Sequence, residues 1–485
     1  MPQVQKERNA INFNYFRSGE LINIKYRDGQ KNFKMFKDAE LIFYNMDSLV
    51  GEKECLIVEG EIDCLSWMEA GYKPVVSVPN GASKGNARLD YLDGCIQYFE
   101  DKERIYIGTD NDEAGRSLMN ELVRRLGAER CRRIDFEEEK DSNDYLQAKG
   151  AQNLLKRLEY SREFPLDGIV SIDDVWDDVL DYYENGLPKG SETGDLRFDE
   201  HLRFILGELT MVTGIPGHGK SIFLDQIAIK LVKNENWKFG VFSPESNPVP
   251  LYYTRLIKRL LGKKFSKKYI VPKELELSKI WLKSNFNIIK PESFDIDSII
   301  DRAKMLVRTK GINALIIDPW NRILNVKGEG FDKEDVIISR LSKIINFAQQ
   351  YKVHVFLVAH PTKMKKKEDG VSDYVVPSLY DISGSAHFFN MTQNGITVYR
   401  SYDRGVTEVH IQKVKWEHLG KLGSVEYMYS DDNSRFYHDE SEVYENWLYN
   451  EPAIQANFSF EYDQSEQGDV IFNSFKPSSN EPAPF

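Results

Sequence analysis

Gly214-Ile215-Pro216-Gly217-His218-Gly219-Lys220-Ser221 constrains this chain more than any other stretch, because it fits GxxxxGK[ST] without a mismatch. Leu209-Thr210-Met211-Val212-Thr213 ahead of it reads as a buried strand. Ile222 to Val232 behind it reads as an amphipathic helix, with Ile222, Leu224, Ile227, Ala228 and Leu231 available to a core. Strand, glycine loop and helix in that order turn backbone N–H groups and a helix N-terminus toward one anion. Gly214, Gly217 and Gly219 let the loop close on phosphates, Lys220 reaches the β and γ phosphates, and the Ser221 hydroxyl holds Mg²⁺. ATP or another nucleoside triphosphate, with Mg²⁺, is the expected cofactor.

With 485 residues the chain has room for two or three domains. No apolar run is long enough to span a membrane, and Met1 to Arg8 lacks the apolar core of a signal peptide, so a cytoplasmic protein is expected. Cys55, Cys64, Cys95 and Cys131 form no CxxC pair; they read as buried reduced thiols and cannot build a zinc ribbon. A net charge of −12 argues against a passive nucleic-acid coat, although local charge matters more than the sum.

Residues 1–50 alternate short strand-like runs with Arg17, Lys25, Arg27, Lys31, Lys34 and Lys37, either a solvated face or a nucleic-acid surface. From residue 54 an α/β rhythm begins, with strands at Cys55–Val58, Val75–Val78, Arg104–Gly108 and Cys131–Phe136 and helices near Glu61–Ala70 and Glu113–Leu126. Strands separated by helices imply a parallel sheet, and ligands bind beyond the carboxyl ends of such strands. Glu59 follows the first strand, Asp110 and Asp112 the third, Asp141 and Asp144 the fourth. Asp-x-Asp with a further acid from a neighbouring strand suits Mg²⁺, though acids also simply cap helices.

Val58-Glu59-Gly60-Glu61-Ile62-Asp63, Gly108-Thr109-Asp110-Asn111-Asp112-Glu113-Ala114-Gly115-Arg116 and Lys140-Asp141-Ser142-Asn143-Asp144-Tyr145-Leu146 resemble the TOPRIM domain of phage-type primases. The P-loop region resembles the DnaB/Twinkle replicative helicases, and the order of the two resembles phage primase–helicases. The resemblance covers roughly residues 15–435. It implies a TOPRIM α/β domain followed by a RecA-like P-loop NTPase domain with a parallel central sheet. It also implies that Glu59, Asp110 and Asp112 bind the metal of a primase site. Primases of this kind carry a zinc-binding domain ahead of the TOPRIM domain, which this sequence does not show, so weak or partner-dependent priming is expected.

The same resemblance assigns the second half. Glu245, after the strand Phe239–Phe242, matches the catalytic glutamate; Asp318 closes Asn313–Ile317 in a Walker B pattern; His360 matches the γ-phosphate sensor. Lys363, Lys365, Lys366 and Lys367 form a cationic run where ring helicases contact single-stranded DNA, and lysines there follow phosphates without reading bases. Gly384-Ser385 matches the motif that follows. Lys413-Val414-Lys415 stands where the family has Lys-x-Arg, which leaves Lys415 or Arg400 as the finger that acts in trans.

Expected boundaries are a basic β-rich segment at 1–50, TOPRIM at 51–162, a linker at 163–200, the motor at 201–439 and an acidic disordered tail at 440–485. The linker helix from Ile172 to Tyr183 sets Val175, Trp176, Val179 and Leu180 among acids, and the family implies that it docks on a neighbouring subunit of a hexameric ring. Phe485 at the end of the tail suits either a docking peptide or a plain solubilising tail. The reading is therefore an ATP-dependent replicative DNA helicase on single-stranded and forked DNA, in a phage- or bacterium-like cytoplasm. Its alternatives are a bifunctional primase–helicase and a RecA-like strand-exchange or clamp ATPase.

Overall fold

The computed structural model describes residues 10–30, 32–36, 39–80, 89–164, 172–323, 333–362, 364, 374–382 and 385–448. They form two compact units: residues 1–188 with the short segment 304–311, and the remainder of the chain from residue 189. Lys31, Lys37, Lys363, Lys365, Lys366, Lys367, Gly384 and Phe485 lie outside the described residues.

The first unit opens with β1 (Ile11–Arg17), β2 (Glu20–Arg27) and β3 (Phe33–Met35), an antiparallel sheet in that order. Alternation sends Phe13 and Tyr15 inward, where they join a core with Phe43, Ile57, Ile105 and Leu118. The basic residues here are not a free strip. Lys25 is buried and its ammonium donates to Glu61 at 2.7 Å and to the Pro79 carbonyl at 2.8 Å. Arg17 forks onto Glu40 through two bonds of 2.7 Å. Two of the cations of this segment, read as either a solvated face or a nucleic-acid surface, are thus used in holding it to the fold.

Next come β4 (Glu54–Val58), β5 (Val75–Ser77), β6 (Arg104–Gly108), β7 (Cys131–Arg133) and β8 (Arg162–Glu163), in the order β5-β4-β6-β7-β8. The first four are parallel, as expected, and β8 adds an antiparallel edge. The strand expected over 131–136 stops at Arg133. All four cysteines are free and buried. The helix Ile172–Asn185 exposes Trp176, Val179 and Leu180.

The second unit is built on nine strands: β9 (Leu209–Thr213), β10 (Phe239–Phe242), β11 (Phe286–Ile288), β12 (Ala314–Ile317), β13 (His354–Val358), β14 (Asn394–Ser401), β15 (Val406–Lys413), β16 (Gly423–Ser430) and β17 (Arg435–Tyr437). Their order is β11-β10-β12-β13-β9-β14-β15-β16-β17. The strands from β11 to β14 run parallel, and β15 to β17 continue as an antiparallel meander. β9, β10, β12 and β13 are buried along their whole length, which is why their sequences are continuous apolar runs.

This unit's core continues past residue 439, where a disordered tail was expected to begin. A short helix Glu440–Val443 follows β17, and Trp447 and Leu448 pack with Leu260, Leu261 and Phe436. The acidic, polar composition of the segment hides two large apolar anchors spaced too irregularly for a periodic pattern.

Candidate functional site

β9 ends in the glycine loop, and the helix Lys220–Glu235 carries its chain away. Gly214 has φ +142°, and a Cβ there would stand 2.1 Å from the Val398 carbonyl oxygen, so the loop can pass β14 only as glycine. The Lys220 ammonium donates to the Gly214 and Ile215 carbonyls at 2.7 and 3.0 Å. Burial lowers the Lys220 pKa to about 8, opposed by Asp318 and Glu245. Among loop residues, His218 locks the cradle to β14: its Nδ1 accepts the Arg400 N–H at 2.9 Å.

The other candidates converge from neighbouring strand ends. Asp318 follows β12; it is buried and raised to about 6 by desolvation, against a hydrogen bond from Ser221 that lowers it. Ser221 acts on Asp318 from the start of the P-loop helix, and a hydroxyl and a carboxylate are oxygen donors of the kind that suits Mg²⁺. His360 follows β13, and its Nδ1 is buried without a hydrogen-bond partner among the described residues. Burial lowers the His360 pKa, Lys220 and Arg322 add to that, and Glu245 opposes it. Glu245 follows β10 and is half-exposed. The site is thus Lys220, Ser221, Glu245, Asp318 and His360 at the carboxyl ends of β9, β10, β12 and β13.

Two fingers were candidates. The Arg400 guanidinium lies 5.5 Å from the Tyr402 ring and 5.7 Å from the Tyr429 ring, beside the loop of its own chain. Lys415 is exposed just beyond β15, its ammonium 5.3 Å from the Trp416 ring. Lys415 is thus more exposed than Arg400.

Sequence reading missed three groups. Arg322 donates from Nε to Glu245 at 2.8 Å. Asp225, one turn into the P-loop helix, is buried with Arg255 at 2.7 Å and Arg259 at 3.5 Å, a charge cluster that also acts on Asp318. Lys140 joins the first unit's acids. Only Lys140 carried a sequence signal, lying directly before Asp141 of the acidic set.

In the first unit, Asp112 caps the helix Glu113–Leu126 by accepting the Gly115 N–H at 2.9 Å. A Cβ on Gly115 would meet the Asp110 carbonyl oxygen at 2.1 Å, so glycine is what lets this helix start against the Asp-x-Asp backbone. Glu59 accepts the Asp110 N–H at 3.4 Å. Lys140 bridges the acids, 2.8 Å from Asp110 and 3.8 Å from Asp112. Burial raises the Asp110 pKa, and Lys140 opposes that. Among the described residues no group of three His, Cys, Asp or Glu side chains is gathered tightly enough to hold a metal; the Lys140 ammonium is the cation within this acidic set.

Comparison with known proteins matches residues 56–146 to the Toprim-like family and residues 201–366 to a family described as AAA domain. The chain is 33% identical over 464 residues to the Twinkle homolog protein, chloroplastic/mitochondrial, of Arabidopsis thaliana, covering 89% of this chain and 64% of that protein. It is 37% identical over 175 residues to the Primase homolog protein of the same plant, covering 32% of this chain and 52% of that one. It is 24% identical over 442 residues to the DNA helicase/primase of Enterobacteria phage T3, covering 85% and 74%. The chain therefore spans less than two thirds of the length of the first two relatives. The resemblance drawn from the motifs holds in both halves: a Toprim-like domain precedes a P-loop ATPase domain.

Proposed function

We propose that this chain, a Toprim-like domain followed by a P-loop ATPase domain, is a ring-forming replicative DNA helicase driven by nucleoside triphosphate hydrolysis. One observation carries the proposal: Lys220, Ser221, Glu245, Asp318 and His360 converge at one end of a parallel sheet. Lys220 would neutralise the β and γ phosphates, and Ser221 with Asp318 would hold Mg²⁺, which polarises those oxygens when bound. Glu245 would orient the attacking water, and His360 would register the γ-phosphate through its unpartnered nitrogen.

Partners follow from the same reading. The exposed apolar stripe of the Ile172–Asn185 helix suits docking on a second copy, consistent with a hexameric ring in which Lys415 reaches a neighbour's nucleotide. Lys363, Lys365, Lys366 and Lys367 would follow the phosphates of one DNA strand. No helix among the described residues is long and apolar enough to cross a membrane, and the setting we propose is an intracellular compartment that holds DNA. A second activity, primer synthesis, would need Glu59, Asp110 and Asp112 to gather a divalent ion, and we propose that it is weak or partner-dependent in this chain because Lys140 holds the two aspartates instead.

Nucleotide hydrolysis by the purified chain, with and without single-stranded DNA, tests the proposal. DNA-stimulated hydrolysis that disappears in Glu245→Gln while nucleotide still binds is the expected result. A folded wild-type chain that hydrolyses no nucleoside triphosphate would refute it.

A further inference from the structure

Arg322 sits on the short 3₁₀ turn Trp320–Arg322, which leaves the same strand end as Asp318. Its Nε–H donates to Glu245 Oε1 at 2.8 Å, and the two side chains are 59% and 44% exposed. The pair belongs to the nucleotide site rather than to a remote surface, because Glu245 and Arg322 follow β10 and β12, neighbouring parallel strands whose ends carry that site.

We infer that Arg322 is a positioning residue that restrains Glu245 and releases it to the attacking water when the terminal phosphate of a nucleotide draws the guanidinium away. The inference rests on the hydrolysis reading above. A glutamate that orients water needs a carboxylate oxygen free to accept the water's proton. Here a charge-assisted hydrogen bond to Oε1 turns the carboxylate toward Arg322 and fixes its orientation away from the water it must meet. An exposed ion pair is weak and exchanges readily, and a guanidinium matches phosphate oxygens as well as carboxylate ones. In the nucleotide-bound site the guanidinium therefore exchanges between Glu245 and the terminal phosphate, and hydrolysis proceeds only from the fraction of sites in which Glu245 is free. Lysine at this position keeps the charge without the planar fork and retains part of the restraint.

The test is steady-state ATP hydrolysis by the full chain without DNA, comparing wild type, Arg322→Gln, Arg322→Lys, Glu245→Gln and the Arg322→Gln/Glu245→Gln double variant. Arg322→Gln is expected to raise kcat about two- to fivefold, the range available to an exposed ion pair. Its KM for ATP should rise with the loss of a phosphate contact. Arg322→Lys should fall between it and wild type, and the double variant should be as inactive as Glu245→Gln. A fall in kcat for Arg322→Gln would show that the guanidinium promotes catalysis and overturn the restraint. Unchanged kcat and KM would reduce the pair to a surface contact and overturn it as well. If wild type hydrolyses ATP and Glu245→Gln does not, either of those results sinks this inference alone. If wild type does not hydrolyse, the proposed function falls with it.

Discussion

The Lys220 ammonium donates to the Gly214 carbonyl oxygen at 2.7 Å, so the cation of the phosphate loop is held by the first glycine of that loop. Nucleotide phosphates must take this donor over, and burial favours the exchange: a Lys lowered to about 8 gains from an anion beside it. Lys220→Ala is expected to reduce kcat for hydrolysis by about 10²–10³, the cost of removing one preorganised charge donor. Fold stability should be little changed, since the lost carbonyl contacts and attraction to Asp318 and Glu245 are offset by removing an ammonium whose burial is unfavourable. A near-normal rate in Lys220→Ala would remove the loop from the chemistry.

Asp318 sets the pH dependence of metal–nucleotide binding. Its value in the folded chain, about 6, lies above the ordinary 3.8, so the fold favours the protonated acid. That contribution to stability is fully present below 3.8 and is lost as pH rises through 6, where the carboxylate stays charged and buried. Mg²⁺ needs the charged form. Affinity for the Mg²⁺–nucleotide complex should therefore be highest above pH 6 and fall about tenfold per unit below it. Asp318→Asn should bind weakly with that slope removed. Titrating a fluorescent nucleotide into both proteins between about pH 5 and 8 decides; an equal slope in Asp318→Asn would place the titration elsewhere.

How much of this was legible in the sequence depended on whether one strand and its neighbours carried the signal. Continuous apolar runs marked β9, β10, β12 and β13, because a parallel sheet buried on both faces leaves chemistry only at its strand ends. The glycine motif then marked Lys220, the acid closing β12 marked Asp318, and Glu245 and His360 came from the family resemblance. The antiparallel meander β15–β17 was not read from the sequence, although β15 and β16 alternate buried with more exposed residues, the pattern of a sheet with one face open. Contacts made across the sheet were hidden too. Nothing local to Arg322 points to Glu245, 77 residues away, and nothing local to Lys25 points to its burial against Glu61.

The acids of the first unit hold a lysine where a divalent ion is proposed to bind, and this gives a competition. Lys140→Gln should tighten Mn²⁺ or Mg²⁺ binding, since an ammonium 2.8 Å from Asp110 repels an entering cation. Asp110→Asn with Asp112→Asn should abolish it. The measurement is a metal-dependent rise in unfolding temperature of the full chain at low salt, where the electrostatic difference is least screened. Equal shifts in wild type and in the double Asn variant would mean that the ion binds elsewhere.

Forked-DNA unwinding puts both halves of the proposal to the test in a single assay. The purified chain with ATP and Mg²⁺ is expected to separate a fork bearing a single-stranded arm, and Lys220→Ala and Glu245→Gln to leave the fork intact. Asp110→Ala with Asp112→Ala should unwind it nearly as well as wild type. Hydrolysis stimulated by single-stranded DNA with no strand separation in a properly assembled wild-type ring would contradict the helicase reading and favour a clamp.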